Sequence, residues 1–422
     1  VSDKTTAVTG RKLLIAEKFG PLHGTRIISS GVFIAGPFAS EIAAEWGAEV
    51  IHIERAGEGD PYRLAGIRLP NKDKSKPAVT TNWIQERRNM LGVTLDPSKP
   101  RGRDLFLKLL CQADAWIESS KPGTFARWGL DDAAILQANP RLVIAHISGY
   151  GHSGDPDYVP RACVDSTAQA FGGMMYQMGF PDPEPPVRAQ PWTADYVSAF
   201  CALSATLACI MHARATGQGQ SIDVAMFEVI HKILGPTMLE YFETGLIRER
   251  VGNRATAIQP LDTFRSRDGW LMVAAALPAH GDKICRLLGL DPTAEKWQGI
   301  TYKVGTAEGW EFDALFRAWV ADRTSEEVLA VMRDLSIPCA KVMSSRDMAE
   351  NPHYQARGIH IQWEDEEAGK VRGTGVVPRL SATPGRIWRG SPALGQDNRL
   401  VYGDLLGLSA DEIEMLQRDG II

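Results

Sequence analysis

TRIISSGVFIAGPFASEIAAEWGAEVIHIE, residues 25–54, contains the chain's first strand-helix-strand pattern. TRIISS (25–30) is a short apolar run and reads as a buried strand. AGPFASEIAAEWG (35–47) reads as a helix closed by Gly47, and AEVIHIE (48–54) as a second strand ending on Glu54. A strand, a helix and a strand within thirty residues form a crossover unit, which parallel strands require. The alternation continues: LGVTLD (91–96), AWIESS (115–120) and LVIAHISG (142–149) are strand-like, with helical segments at 101–112 and 131–138 between them. The class is therefore α/β with a parallel sheet.

Downstream, residues 195–214 are helical, QSIDVAM supplies a strand, and 225–243 is helical again with Met226, Val229, Ile230, Ile233 and Leu234 on one face. From about 250 the chain carries loops, a hairpin-like FRSRDGWLMVAAA with an Asp-Gly turn, and helices near 279–289, 310–321 and 324–334. IPCAKVMS (337–344) reads as a strand returning to the first domain. The expected division is a large domain of 1–224 with 336–422 and a small inserted α+β domain of 225–335. The last eighty residues hold a helix start at Ser345, a break at NPHY, a β-pair around HIQWED and KVRGTGVV, and a helix capped by Ser409. The lysine-rich NKDKSKP (71–77) reads as a surface loop.

Over 422 residues the formal charge is -5, which argues against a general nucleic-acid binder. An anionic ligand would have to be held by a few placed cations. There is no run of eighteen purely apolar residues, and VSDKTTAVTGRK at the start has no apolar stretch behind its cations, so no membrane partner and a cytoplasmic location are expected. The six cysteines form no CxxC pair and the nine histidines no HExxH, so free, buried thiols and no metal are expected.

The first strand-turn-helix invites a dinucleotide reading with Glu54 as the ribose partner, but Gly31 and Gly36 stand five apart and no GxGxxG exists. Neither a phosphate loop nor a GxSxG nucleophile elbow is present. What remains are two carboxylates that precede helical segments: Asp165 in RACVDSTAQAFGG and Asp195 in PWTADYVSA. Each reads either as a first-turn acid favoured by the helix dipole, worth about 0.3–1 kcal/mol, or as a carboxylate kept ionised by that dipole and usable as a covalent nucleophile without a general base.

Several segments together resemble the family III CoA-transferases, with the carnitine CoA-transferase branch the nearest in kind. They are KFGPLHGTRIISSGVFIAGPFASEIAAEWGAEVIHIE, LVIAHISGYG, PWTADY, ARATGQGQSIDVAMFEVI and CAKVMSSRDMAENPHY, in the expected order across nearly the whole chain. The resemblance implies a large Rossmann-like domain built from both chain ends, a smaller domain, and two protomers interlocked as linked rings. It implies that Asp195 is the nucleophile, and that coenzyme A is held at Phe33, Ile34, Arg55, Leu95 and Arg127. CoA carries three phosphates, and Arg55 and Arg127 suit them, with Arg88 and Lys121 as helpers. Where the family often has a lysine this chain has Met90, so one phosphate contact is lost or moved. The formyl/oxalyl branch has a glutamine at the place of Ile34, which disfavours such an enzyme; at the place of Asp165 it has a glutamate, which suggests a supporting polar role.

The implied reaction moves CoA from an acyl-CoA to a free carboxylic acid through an aspartyl-CoA thioester on Asp195, with acyl-CoA as substrate and no permanently bound cofactor. Backbone N–H groups around Ile34 to Gly36 would stabilise the oxyanions. For the acceptor, Val32, Phe33 and Ile34 make the turn apolar, and Tyr150, Phe171, Met174, Met175, Tyr176, Met178 and Trp192 lie in segments expected near it. An aromatic or dicarboxylic acid such as benzylsuccinate, with succinyl-CoA as donor and Arg161 or Arg188 on a second carboxylate, is favoured. A carnitine- or betaine-type acid is the alternative. An acyl-CoA racemase is disfavoured because Cys163 and Val164, rather than Gly-His, precede Asp165. The partner is a second copy or a related subunit, in which case a scaffold role is the remaining reading.

Overall fold

The computed structural model describes residues 12–422; most of the N-terminal stretch read above, residues 1–11, lies outside the described residues. In chain order the first elements are β1 (Arg26–Ser29), α1 (Ala35–Glu45), β2 (Glu49–Glu54), β3 (Arg68–Leu69), β4 (Val79–Thr80), α2 (Thr81–Glu86), β5 (Leu91–Thr94) and α3 (Pro100–Cys111). Next come β6 (Ala115–Glu118), α4 (Asp132–Ala138), β7 (Val143–Ser148), α5 (Asp165–Phe171), α6 (Met174–Gln177), α7 (Thr193–Thr216), β8 (Gln220–Ala225) and α8 (Met226–Lys232). Then follow α9 (Thr237–Thr244), β9 (Leu261–Arg265), β10 (Trp270–Ala274), α10 (Pro278–Leu287), α11 (Ala307–Ala321), α12 (Ser325–Asp334) and β11 (Cys339–Lys341). The last are α13 (Ser345–Glu350), α14 (Pro352–Ala356), β12 (His360–Asp365), β13 (Gly369–Thr374) and α15 (Ala410–Arg418).

Six strands form one sheet in the order β5-β2-β1-β6-β7-β8, every neighbouring pair parallel. Strand residues alternate between faces. Ile28, Ile51, Trp116 and Ile144 turn to one face and join Leu105 and Phe106 of α3 and Ile135 of α4 in a core, while α1 and α7 lie against strands of the same sheet and against each other. Alanines at 35, 39 and 43 of α1 and at 194, 199 and 202 of α7 are all buried, and side chains this small let two helix axes approach closely.

All six strands come from residues 26–225, yet the C-terminal chain completes the same unit. Asp397 Oδ2 accepts from Gly92 N at 2.7 Å and Asn398 Oδ1 from Thr94 N at 2.9 Å, so the free edge of β5 donates to side chains. Tyr402 Oη donates to Thr94 O at 2.7 Å.

Two compact units divide the chain. One comprises the residues up to Gly173, Ala189–Gly235 and Gln355–Ile422; the other comprises Met174–Arg188 and Pro236–Tyr354. The second is not the continuous 225–335 of the sequence reading. Helix α8 packs on α5 and α7, which keeps it in the first unit. IPCAKVMS does not return to the large sheet: β11 pairs antiparallel with β10, which pairs with β9. Behind that small sheet Phe264, Leu271, Phe312, Phe316, Val328 and Met332 form the second unit's core. Here three residues of strand are too short a pattern to reveal their partner.

The 24-residue α7 is long and apolar enough, by composition, to cross a bilayer. It is nonetheless packed along one side by α1 and by β7 and β8, while Phe200 and Met211 stand exposed. The cysteines are free, as expected, but only Cys285 is buried; Cys111 and Cys201 are exposed and the other three intermediate.

Candidate active site

In a doubly wound sheet the ligand crevice opens at the carboxyl ends of the strands, where the strand order reverses. Here the chain steps outward from β1 to β2 and β5, then returns to the other side of β1 with β6 and continues to β7 and β8. The reversal lies between β1 and β6. After β1 comes the turn Ser30–Ile34, and after β6 the segment Ser119–Ser120–Lys121. A Cβ on Gly31 would stand 2.4 Å from Ser119 Oγ, so glycine is what lets the two segments meet. This close approach, rather than a pyrophosphate cradle, explains Gly31.

The residues expected to hold CoA follow four neighbouring strands: Phe33 and Ile34 after β1, Arg55 after β2, Leu95 after β5, and Arg127 beyond β6. Phe33 is half exposed, in a left-handed conformation with φ +59°. Arg55 is exposed, 3.1 Å from Glu58 in an ion pair open to solvent, and Arg127 is exposed with Nη2 donating to Thr124 Oγ1 at 3.3 Å. The side chains of Ile34 and Leu95 are buried in separate cores, so those positions offer backbone only.

One expectation needs correction. Arg88 is buried, its Nε donating to Glu45 Oε1 at 2.7 Å and lying 3.2 Å from Glu41 Oε1, and its Nη1 donates to Thr374 O at 2.7 Å. Its charge is matched by two acids of α1 and it is no helper for a phosphate. Met90 is fully buried, so its side chain packs instead of facing a ligand. Lys121 is exposed beside the switch point.

Asp195 stands in the first turn of α7 and is half buried. The helix begins after Trp192, itself left-handed at φ +33°, and its cap comes from another element. Asp165, buried at the start of α5, accepts with Oδ1 from Ala194 N at 2.7 Å and from Asp195 N at 3.4 Å. Asp165 Oδ2 accepts from Gln169 Nε2 at 2.8 Å, and Gln169 also grips Ala189 through its N–H and C=O. Thus Asp165 has the supporting polar position suggested for it: it satisfies the first amides of the helix that carries Asp195.

Helix dipole notwithstanding, Asp195 is not held in the ordinary carboxylate range. Burial first, then the charges of Asp165 and Glu86, push it up to about 7. Glu86 escaped the sequence reading. It accepts from Tyr62 Oη at 2.8 Å and from Tyr196 Oη at 2.5 Å, and Tyr196 directly follows Asp195. Phe38 of α1 packs edge-on against Tyr196 at 4.7 Å, joining the helix after the Phe33 turn to the helix start that carries Asp195.

Along β6 and β7 a second polar cluster forms. His146 lies between Glu118 at 2.6 Å and Asp132 at 3.0 Å, and its ring stacks on His152 at 4.3 Å. Burial pulls His146 down, but hydrogen bonds to the two carboxylates more than offset it and raise the ring to about 9. Potential ligand atoms of Glu118, His146 and His152 lie within 4.8 Å of one another. Both nitrogens of His146 already face carboxylates, so the cluster reads as an ion-pair network.

The fold is an α/β one with a parallel sheet whose strand order reverses between β1 and β6, and two carboxylates, Asp195 in the first turn of α7 and Asp165 at the start of α5, meet at the start of α7. The family model for CoA-transferase family III matches residues 22–398, and the chain belongs to that family. The L-carnitine CoA-transferases of Proteus mirabilis (strain HI4320) and Proteus sp. (strain LE138) are each 34% identical to it over 411 residues, 96% of this chain and 97% of each relative. The crystal structure of a CAIB/BAIF family protein from Brucella suis has a TM-score of 0.79 at 26% identity, covering 92% of this chain and 100% of that one. The protein is an enzyme of CoA transfer, with CoA as a substrate.

Proposed function

We propose that the protein transfers CoA from an acyl-CoA to a free carboxylic acid through a thioester on Asp195. The carrying observation is the half-buried Asp195, set by Asp165 at the start of α7 and joined through Tyr196 and Phe38 to the helix that follows the Phe33 turn. The Asp195 carboxylate attacks the donor thioester, giving a mixed anhydride and CoA thiolate. That thiolate attacks the aspartyl carbonyl, giving the aspartyl-CoA thioester and the donor's free acid. The acceptor carboxylate then attacks the thioester, and the expelled thiolate takes the acyl group from the second anhydride, restoring Asp195. Arg55 and Arg127 hold CoA phosphates; Phe33 and the backbone at Ile34 and Leu95 line its path. The protein works in the cytoplasm as an interlocked dimer, homomeric or with a related subunit, and the exposed Phe200 and Met211 on α7 suit coverage by a partner.

Because the carboxylate form attacks, thioester formation is expected to rise about tenfold per pH unit below 7 and to level off above it. Glu86→Gln removes one of the charges that raise Asp195, so the acid limb of a stopped-flow profile moves to lower pH. A limb fixed in place would show that Glu86 does not act on Asp195.

For the acceptor, the β7–α5 loop offers Tyr150 and Tyr158, each packed on the half-exposed Phe171 at 5.1 and 5.3 Å, with Phe227 of α8 5.1 Å beyond. Arg161 lies over the Tyr158 ring at 3.8 Å. The cluster neighbours Cys163, whose thiol is raised by burial and further by the charges of Asp195 and Asp165. Apolar walls with one guanidinium suit an aryl acid bearing a second carboxylate, such as benzylsuccinate, with succinyl-CoA as donor; a quaternary ammonium would be attracted by the aromatic faces but repelled by the guanidinium. The two Proteus relatives favour the second reading, a carnitine-type acid. With succinyl-CoA as donor, kcat/KM for benzylsuccinate is expected to exceed that for carnitine by about 100-fold, and Arg161→Leu to cost the dicarboxylate about tenfold while sparing a monocarboxylate. The reverse order selects the carnitine reading. Cys163 and Val164 before Asp165 leave no histidine there for a racemase.

A further inference from the structure

Phe33 holds a positive φ, a left-handed conformation that strains a non-glycine residue. Its own side chain is half exposed and meets Tyr62 only edge-on at 6.4 Å, so side-chain packing does not account for the conformation. The backbone is gripped instead. Phe33 N–H donates to Asp60 Oδ1 at 3.2 Å, its carbonyl accepts from Arg87 Nη2, and the same Nη2 donates to Asp60 Oδ2 at 3.1 Å. Both polar groups of one residue are thus tied into a closed ring with a buried ion pair.

That pair is itself held by further neighbours, although Arg87 Nε has no hydrogen-bond partner among the described residues. Asp60 Oδ1 also accepts from Tyr62 N at 2.9 Å, and Asp60 N donates to Glu54 Oε2 at 3.0 Å. Arg87 Nη1 donates to Glu86 O at 2.8 Å, and its guanidinium lies over the rings of Tyr62 and Trp83 at 4.7 and 5.1 Å. The side chains of Asp60 and Arg87 are 1% and 0% exposed. A buried pair of this kind contributes little net stability against an apolar replacement. Its consequence here is geometric: it forces the chain through a left-handed turn immediately before α1, whose first turn has no side-chain cap.

We propose that Asp60 and Arg87 are positioning residues that hold the Phe33 turn, and with it the first amides of α1, in register with Asp195. The proposal rests on the reading that this turn faces the acyl-CoA. It separates the two acids near the site by role: Asp165 sets the helix that carries the nucleophile, and Asp60 sets the strand-to-helix turn opposite.

The test compares the full-length protein with Asp60→Asn and Arg87→Lys by amide hydrogen exchange over residues 31–38 and by the rate of thioester formation with succinyl-CoA. The expected result is exchange faster by about tenfold, and kcat lower by about 10- to 100-fold with KM for the acyl-CoA changed less than about threefold. Phe33→Gly supplies a second readout, since glycine adopts φ +59° without strain. In that background the loss caused by Asp60→Asn is expected to shrink several-fold. Unchanged exchange would overturn the clamp; faster exchange with unchanged kcat, or an equal loss in both backgrounds, would overturn the positioning role. No thioester in the unaltered protein would overturn the reading of the site, and the exchange data would still decide whether the clamp exists.

Discussion

Asp195→Asn is expected to abolish CoA transfer, with a loss of at least about 10⁴-fold, while the protein folds and grows more stable above pH 7. The first half follows from chemistry: an amide of the same shape keeps the contacts of the helix start but is no nucleophile towards a thioester. The second half follows from linkage. Asp195 titrates at about 7 in the fold and near 4 in the unfolded chain, so the native state binds the extra proton between those values. Its contribution to stability is full below the unfolded pKa and is lost as pH rises through 7. Asparagine carries no charge to desolvate, so it escapes that loss. Thermal melts should put the Asp195→Asn variant ahead of the parent by on the order of 2 kcal/mol at pH 8, with the gap closing by pH 4. A gap independent of pH would mean that Asp195 is not strained by burial and by Asp165 and Glu86.

Asp165→Ala is expected to act with two opposed signs. Removing the carboxylate leaves the N–H groups of Ala194 and Asp195 and one N–H of the Gln169 amide without their acceptor, at a cost of about 1–3 kcal/mol in urea unfolding. The start of α7 loosens, and the pH-independent transfer rate should fall by about 10- to 100-fold. Yet a charge that raises Asp195 is also gone, so the acid limb should move to lower pH. A lower plateau and an earlier limb, seen together, distinguish this role from simple loss of fold. An unmoved limb would place the Asp165 charge too far away to matter.

What the sequence disclosed and what it concealed divide by range. Strands and helices from Arg26 to Glu54 were legible because their apolar periodicity is local. So were Asp165 and Asp195, since an acid just inside an apolar helix stands out. Glu86 did not, because its tyrosine partners lie 24 and 110 residues away. Asp60 and Arg87 are 27 residues apart, and their common partner Phe33 carries no mark of its positive φ. Arg88 misled in the other direction: a charged residue in a polar stretch reads as exposed, and only the fold brings Glu41 and Glu45 of α1 against it. At Ile34 and Leu95 resemblance supplied a position but not a direction, and both side chains turn into the core.

Whether Asp195 carries the CoA between donor and acceptor can be read directly by trapping. The unaltered protein would be incubated with a panel of acyl-CoAs that includes succinyl-CoA and butyrobetainyl-CoA, quenched with hydroxylamine, and its peptides analysed by mass spectrometry. A hydroxamate is expected on Asp195 with at least one donor, with none on Asp165 and none at that position in the Asp195→Asn variant. CoA binding without modification of Asp195 by any donor would contradict the covalent route.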